Sequence, residues 1–382
     1  MNSKLLLPLL LVKTMMLTTT SCVKVYKEKT ENGIVIPIDI NKAIVLDIDD
    51  FSSDFVREIQ YIPLETTNES LISSVRKVFL HKDNVIIFDE RQNKILLFGQ
   101  SGTFKKQLGT RGPGPDEYAM LNDVFFEETT GLIYAHERIK NIVFVYNLEG
   151  EIVDKIKPEF SFNSFCKTKD GFWLYTCFKN NNPDGFNLML VDHSMQRMIG
   201  GYFPQNPNFI NVQKMCRFRL DNEGIAYFTY PTSNNIYRLK GITPEVWFTI
   251  DFGRRTAPYK EIATIETSEE YDKLMENDFL MLGDYHIWNN MLLFNFSESS
   301  FNRMRTRYSG FYNMDNSVLN IYKGFINSLK IPTSTFVCTS GKALILSAFP
   351  FELEEKYLKY MEEQLNLKLD DDSNPVLMIC YP

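Results

Sequence analysis

The feature that most narrows the fold is a recurring turn followed by a short apolar strand. It occurs at Asp83-Asn84-Val85-Ile86-Ile87-Phe88, Thr130-Gly131-Leu132-Ile133-Tyr134 and Asp170-Gly171-Phe172-Trp173-Leu174-Tyr175. It returns at Glu223-Gly224-Ile225-Ala226-Tyr227-Phe228, Asn289-Asn290-Met291-Leu292-Leu293-Phe294 and Ser340-Gly341-Lys342-Ala343-Leu344-Ile345. The turn residues fall near 84, 131, 171, 224, 290 and 341, so the steps run from 40 to 66 residues. A four-stranded propeller blade occupies about 40–50 residues, and the longer steps read as blades with insertions. Composition agrees: 30 Phe and 19 Tyr stand against eight Ala, a balance that favours strands over helices.

The rest of each unit fits. Ile95-Leu96-Leu97-Phe98 ends at Ser101-Gly102, and Val143-Phe144-Val145-Tyr146 ends at Glu149-Gly150. Each apolar strand is followed by a half-polar one, Thr103 to Leu108 and Glu151 to Ile156, as expected for a blade's outer strand. The chain ends decide the closure. After Ser340 only Lys342 to Phe349 and Pro375 to Tyr381 remain as strands, so the sixth blade lacks its outer strand, while Phe55 to Leu64 is a spare apolar stretch. Pairing the two closes the ring and removes exposed edges. The expected fold is all-β: a six-bladed β-propeller whose N-terminal strand completes the C-terminal blade. Two helical insertions interrupt it. Tyr259 to Asp278 lies between blades four and five, and Phe351 to Asn366 inside blade six, with Leu353, Tyr357, Met361 and Leu365 on one face.

Residues 1–21 read as an export signal: Lys4, an apolar run from Leu5 to Val12, then Thr18-Thr19-Thr20-Ser21-Cys22. The run is too short to span a bilayer. The pattern looks like a bacterial lipoprotein signal with Cys22 as the lipidated residue, although Thr19 and Lys13 depart from the usual pattern; an ordinary secretory signal is the alternative. Residues 22–43 then form a tether and 44–382 the propeller. Lys24, Lys27 and Lys29 outnumber Glu28 after the cysteine, which points to the periplasm-facing side of an outer membrane. The remaining cysteines, at 166, 177, 216, 338 and 380, fit neither a disulfide framework nor a zinc pattern and read as buried thiols, with only Cys166 and Cys177 near enough in sequence to suggest a hairpin bridge. Net charge is −7, from 41 basic and 48 acidic residues without a long basic run, so no nucleic-acid partner is expected.

Three features carry a family resemblance: the lipoprotein start, Tyr61-Ile62-Pro63-Leu64-Glu65-Thr66-Thr67, and Arg111-Gly112-Pro113-Gly114-Pro115-Asp116-Glu117-Tyr118. The chain resembles the six-bladed β-propeller lipoproteins of Bacteroidota, relatives of NHL-type propellers, over essentially all of its mature length. The extra Pro113-Gly114 departs from the shortest form of the second motif. The resemblance implies the fold and an envelope location. It implies no particular activity, because propellers host both binders and enzymes.

Candidate site residues come from three places. Arg217 and Arg219 share one face of the expected innermost strand of blade four; they either grip an anion in the channel or bridge to a neighbouring blade. The Gly- and Pro-rich segment presents Arg111, Glu117 and Tyr118, as a binding loop or as an interblade clasp. It is not a phosphate loop, since neither a GK[ST] nor a helix follows. Arg254 and Arg255 open the first helical insertion, bordering a lid or standing as exposed loop charges. Arg303, Arg305 and Arg307 form a basic strand face expected to be solvated. No GxSxG, HxH or HExxH occurs, and the histidines at 81, 136, 193 and 286 do not have metal-ligand spacing. The expectation is a monomeric, outer-membrane-anchored propeller without metal or cofactor. It binds a glycan, peptide or envelope protein without catalysis. The alternative is a hydrolase or lyase acting on a sugar or lactone at the channel mouth.

Overall fold

The structure, a computed structural model, describes residues 33–43, 56–177, 185–205, 218–221, 223–231, 233–262, 264–298, 306–323, 335–340 and 342–382. Six sheets follow one another along the chain, each built on consecutive antiparallel strands side by side. Blade one is Lys77–His81, Asn84–Asp89, Lys94–Gly99 and Phe104–Leu108. Blade two is Leu121–Glu127, Leu132–Glu137, Ile142–Tyr146 and Ile152–Ile156. The first strand of each blade is innermost; in blades three to six these are Ser164–Thr168, Arg219–Leu220, Leu280–Trp288 and Thr335–Ser340. The protein is a six-bladed β-propeller.

The ring closes as the chain ends require. Glu58–Pro63 pairs antiparallel with Val376–Tyr381, placing Tyr61 opposite Met378 and Ile62 opposite Leu377. Glu58–Pro63 is thereby the outer strand of blade six. Its buried Ile62 joins Val85 and Leu96 of blade one and Ile345 and Leu377 of blade six in one apolar cluster. Other clusters join blades one and two, four and five, and five and six, so the core lies between blades rather than inside one central mass. This explains the sequence pattern. Second and third strands are covered by a neighbouring blade on both faces, and Phe172 to Leu174, Ile86 to Phe88 and Leu344 to Leu346 are continuously buried. Outer strands such as Ile152–Ile156 show one face to solvent.

The structure departs from the sequence reading in two places. Ile34–Pro37 lies inside the segment assigned to the tether, yet it adds parallel to Thr243–Asp251 as a fifth strand of blade four. Ile36 is buried there, and Ile38 and Ile40 pack against the blade four–five cluster, so an alternating apolar pattern anchors this part of the segment. The docked chain therefore starts before residue 44. The insertion expected as one helix is two, α1 (Tyr259–Ile262) and α2 (Ser268–Met275). Thr267 breaks the run by capping α2, its hydroxyl accepting from the Glu270 amide at 3.2 Å. The second insertion holds α3 (Glu355–Leu365), entered by a short turn at Pro350–Glu352 and ended by left-handed Asn366. Tyr357 and Met361 are buried, with Leu353 and Leu365 packed beside them. No helix among the described residues is long and apolar enough to cross a membrane.

Candidate functional site

The innermost strands surround the central axis, and their charged side chains reach sideways to the next blade. Lys77 of blade one places Nζ 2.6 Å from Asp123 Oδ1 of blade two and donates to the Val124 carbonyl at 2.8 Å. Asp123 also accepts from the Phe165 amide of blade three at 3.1 Å, so one carboxylate ties three blades. Burial, with a contribution from the Arg219 charge, lowers the Lys77 pKa despite the pull of Asp123. Arg219 of blade four donates through one terminal nitrogen to both Asp284 oxygens of blade five, at 3.0 and 2.9 Å. Its Nε donates to the Tyr285 carbonyl at 3.2 Å. Cys338 of blade six donates its thiol to the Val78 carbonyl of blade one at 3.0 Å. These contacts cross blade boundaries and hold the ring.

The loop from blade one to blade two folds back on itself. Arg111 bridges Tyr118, the Gly112 amide donates to the Tyr118 carbonyl, and the Tyr118 amide donates to Thr110. The Glu117 carboxylate accepts from the Gly114 amide at 2.8 Å and lies over Gly112 and Gly114, where any Cβ would collide with it. A side chain at either position would have to push that carboxylate aside. Lys140 of blade two clamps the loop by donating to the Gly114 and Glu117 carbonyls at 2.7 and 2.8 Å. Tyr118 is wholly buried, its oxygen accepts from Gln107 at 3.2 Å, and burial pushes its pKa up to about 12. Arg111, Pro113, Pro115 and Asp116 are the exposed members.

Beside this loop lies a cleft of about 440 Å³ between the outer edges of blades one and two. Gly109, Thr110 and Asp116 form one side, and Tyr146, Gly150, Ile152 and Lys155 the other. Lys155 pairs with Asp116 across it and donates to the Pro115 carbonyl at 3.2 Å. The Tyr146 hydroxyl is buried and has no hydrogen-bond partner among the described residues. Burial, with Tyr118 and Asp116 nearby, pushes its pKa up, so the phenol stays neutral.

Residues 35–381 match the model of a domain of unknown function, DUF4934. The chain belongs to that family. Its DUF4934 propeller is similar to a Bacteroides fragilis protein described as exported, at 16% identity and a TM-score of 0.69, covering 86% of this chain and 97% of that one. It is also similar to a DUF4221 family member from Bacteroides vulgatus, at 12% identity and a TM-score of 0.52, again covering 86% and 97%. At these identities the likeness concerns the fold. No curated protein matches the chain.

In this DUF4934 chain the candidate residues from the sequence are distributed as follows. Arg217 lies outside the described residues, as do Cys22, Cys216, Arg303 and Arg305. Arg219 is 6% exposed and committed to Asp284. Arg255 donates to Glu298 at 2.9 Å and to the Asp278 carbonyl at 3.1 Å, while Arg254 is exposed. Burial works against the Glu298 carboxylate, but the Arg255 and Thr306 hydrogen bonds hold its pKa below the usual range. The loop with Arg111, Glu117 and Tyr118 sits at the blade one–two boundary, and Arg254 and Arg255 at the four–five boundary. In a ring of six these are half a turn apart. Tyr146 and Lys155 carry no signal in the sequence, because each fits its strand's ordinary pattern, one as an apolar strand end and the other as a solvated outer position.

Proposed function

We propose that the protein is an envelope lipoprotein, anchored at Cys22 to the outer membrane and facing the periplasm, that binds its ligand without transforming it. The observation that carries the non-catalytic reading is the use of the channel-wall charges. Lys77 with Asp123, and Arg219 with Asp284, are joined across blade boundaries, so these groups are occupied in holding the ring instead of being poised for proton transfer or nucleophilic attack. A rigid ring on a lipid tether suits presentation of a binding surface near a membrane. The lipoprotein start and the NHL-like motifs support the envelope location.

The anchor is tested by radiolabelled palmitate in cells. Label in the wild-type chain but not in Cys22→Ala, with the variant released as a soluble periplasmic species, supports the reading. Equal labelling of both defeats the anchor. Chemical conversion of a bound ligand by the purified chain defeats the non-catalytic part.

A further inference from the structure

We propose that the cleft between blades one and two is the ligand site, and that it takes a neutral, hydroxyl-rich small molecule of the mono- or disaccharide class. This rests on the binding reading above and adds the place and the chemistry. The first observation is the Tyr146 hydroxyl, buried at the cleft without a partner. An unpaired buried hydroxyl costs about 1–3 kcal/mol relative to one that is hydrogen-bonded. Phenylalanine would fill nearly the same volume without that cost. Tyr146 is wholly buried behind Gly109, so a ligand oxygen reaches its hydroxyl as that turn shifts aside, and there supplies the missing acceptor.

The mouth sets the charge of the ligand. Asp116 and Lys155 are paired there, so the site presents a donor and an acceptor with little net charge. A charged ligand must break that pair. A hydroxyl need not, since it donates to a carboxylate and accepts from an ammonium at once. The walls set its shape. Gly109 and Gly150 have positive φ values of 68° and 85° and carry no side chain into the space; a Cβ at Gly109 would press on the Tyr146 oxygen. Half-buried Ile152 adds an apolar contact suited to the C–H face of a sugar ring. The volume, about 440 Å³, is at the small end of the range for ligand sites.

The test is saturation-transfer NMR and calorimetry on the full mature chain with glucose, galactose, N-acetylglucosamine and maltose. Glucuronate, glucosamine and glycylglycine are the charged and zwitterionic comparisons. At least one neutral sugar is expected to bind, with affinity reduced about fivefold or more in Tyr146→Phe, the loss of one ligand hydrogen bond. Filling the cleft with Ile152→Trp should abolish binding. The unliganded Tyr146→Phe chain should melt at or above the wild-type temperature, because it loses an unpaired group. The proposal is overturned if no neutral sugar binds, if the charged probes bind better, if both variants keep full affinity, or if Tyr146→Phe lowers the melting temperature. Full affinity in both variants leaves a binding protein with its site elsewhere. Conversion of a sugar during the NMR experiment would defeat the non-catalytic reading and leave the site standing.

Discussion

Replacing Arg219 separates its two roles. Its guanidinium makes two contacts to Asp284 and one to the Tyr285 carbonyl, with Arg219 only 6% and Asp284 23% exposed. A fully exposed pair would be worth about 0–1 kcal/mol, and breaking a fully buried one costs about 3–5 kcal/mol. Partial access of water to Asp284 puts Arg219→Ala between these limits, at about 2–4 kcal/mol, much of it from a carboxylate that keeps the Tyr285 amide but loses the guanidinium. The Arg219→Met, Asp284→Leu double variant should recover part of this, because the guanidinium and the carboxylate then leave together. Urea unfolding followed by tryptophan fluorescence measures the midpoint, and an unchanged slope shows that the folded ring is the same in each variant. A loss below about 0.5 kcal/mol in Arg219→Ala, within the range of ordinary surface substitutions, would refute the strut. If ligand affinity collapsed at the same time, the guanidinium would be reading the ligand instead.

Deleting residues 1–63 removes the outer strand of blade six. It exposes Val376–Tyr381 as an edge and should give aggregation or a loss of several kcal/mol, whereas a well-folded monomer by light scattering would contradict the closure. Gly112→Ala should destabilise the interblade loop by displacing the Glu117 carboxylate, and the pair Gly112→Ala, Glu117→Ala should recover part of the loss in thermal melts. Burial opposes ionisation of Glu127, but hydrogen bonds from Lys167, Thr130 and Tyr134 prevail and lower its pKa. The unfolded chain therefore takes up this proton first, and the stabilisation, complete above the ordinary glutamate range, is lost as pH falls through the lower folded value; Glu127→Gln should flatten the acid limb of a stability–pH curve. Burial raises the thiol pKa of Cys166, and that of Cys380 to about 12, so neither should react with a thiol reagent at pH 8 until denaturant is added.

How far the sequence could be read follows from where side chains make their contacts. Strands such as Gly171–Tyr175 are buried on both faces, so each betrays itself by an unbroken apolar run with its own turn. Closure was legible because it is a matter of counting: one blade a strand short, and one strand to spare. Ile34–Pro37 was not, since its one buried side chain, Ile36, is too faint a signal among exposed neighbours. The loop around Arg111 drew attention through its glycines and prolines, but nothing local shows that Glu117 turns back onto those glycines or that Lys140 clamps them from the next blade. Arg219 and Asp284 are separated by 65 residues and meet only because adjacent innermost strands converge on the axis. The cleft is a further step removed. It is made by the outer edges of two blades, and Tyr146 is distinguished there not by its position in a strand but by what its hydroxyl lacks. Sequence periodicity reports which residues are buried. It does not report that the buried Tyr146 hydroxyl lacks a hydrogen-bond partner beside a cleft, since that is decided by the space between two blades.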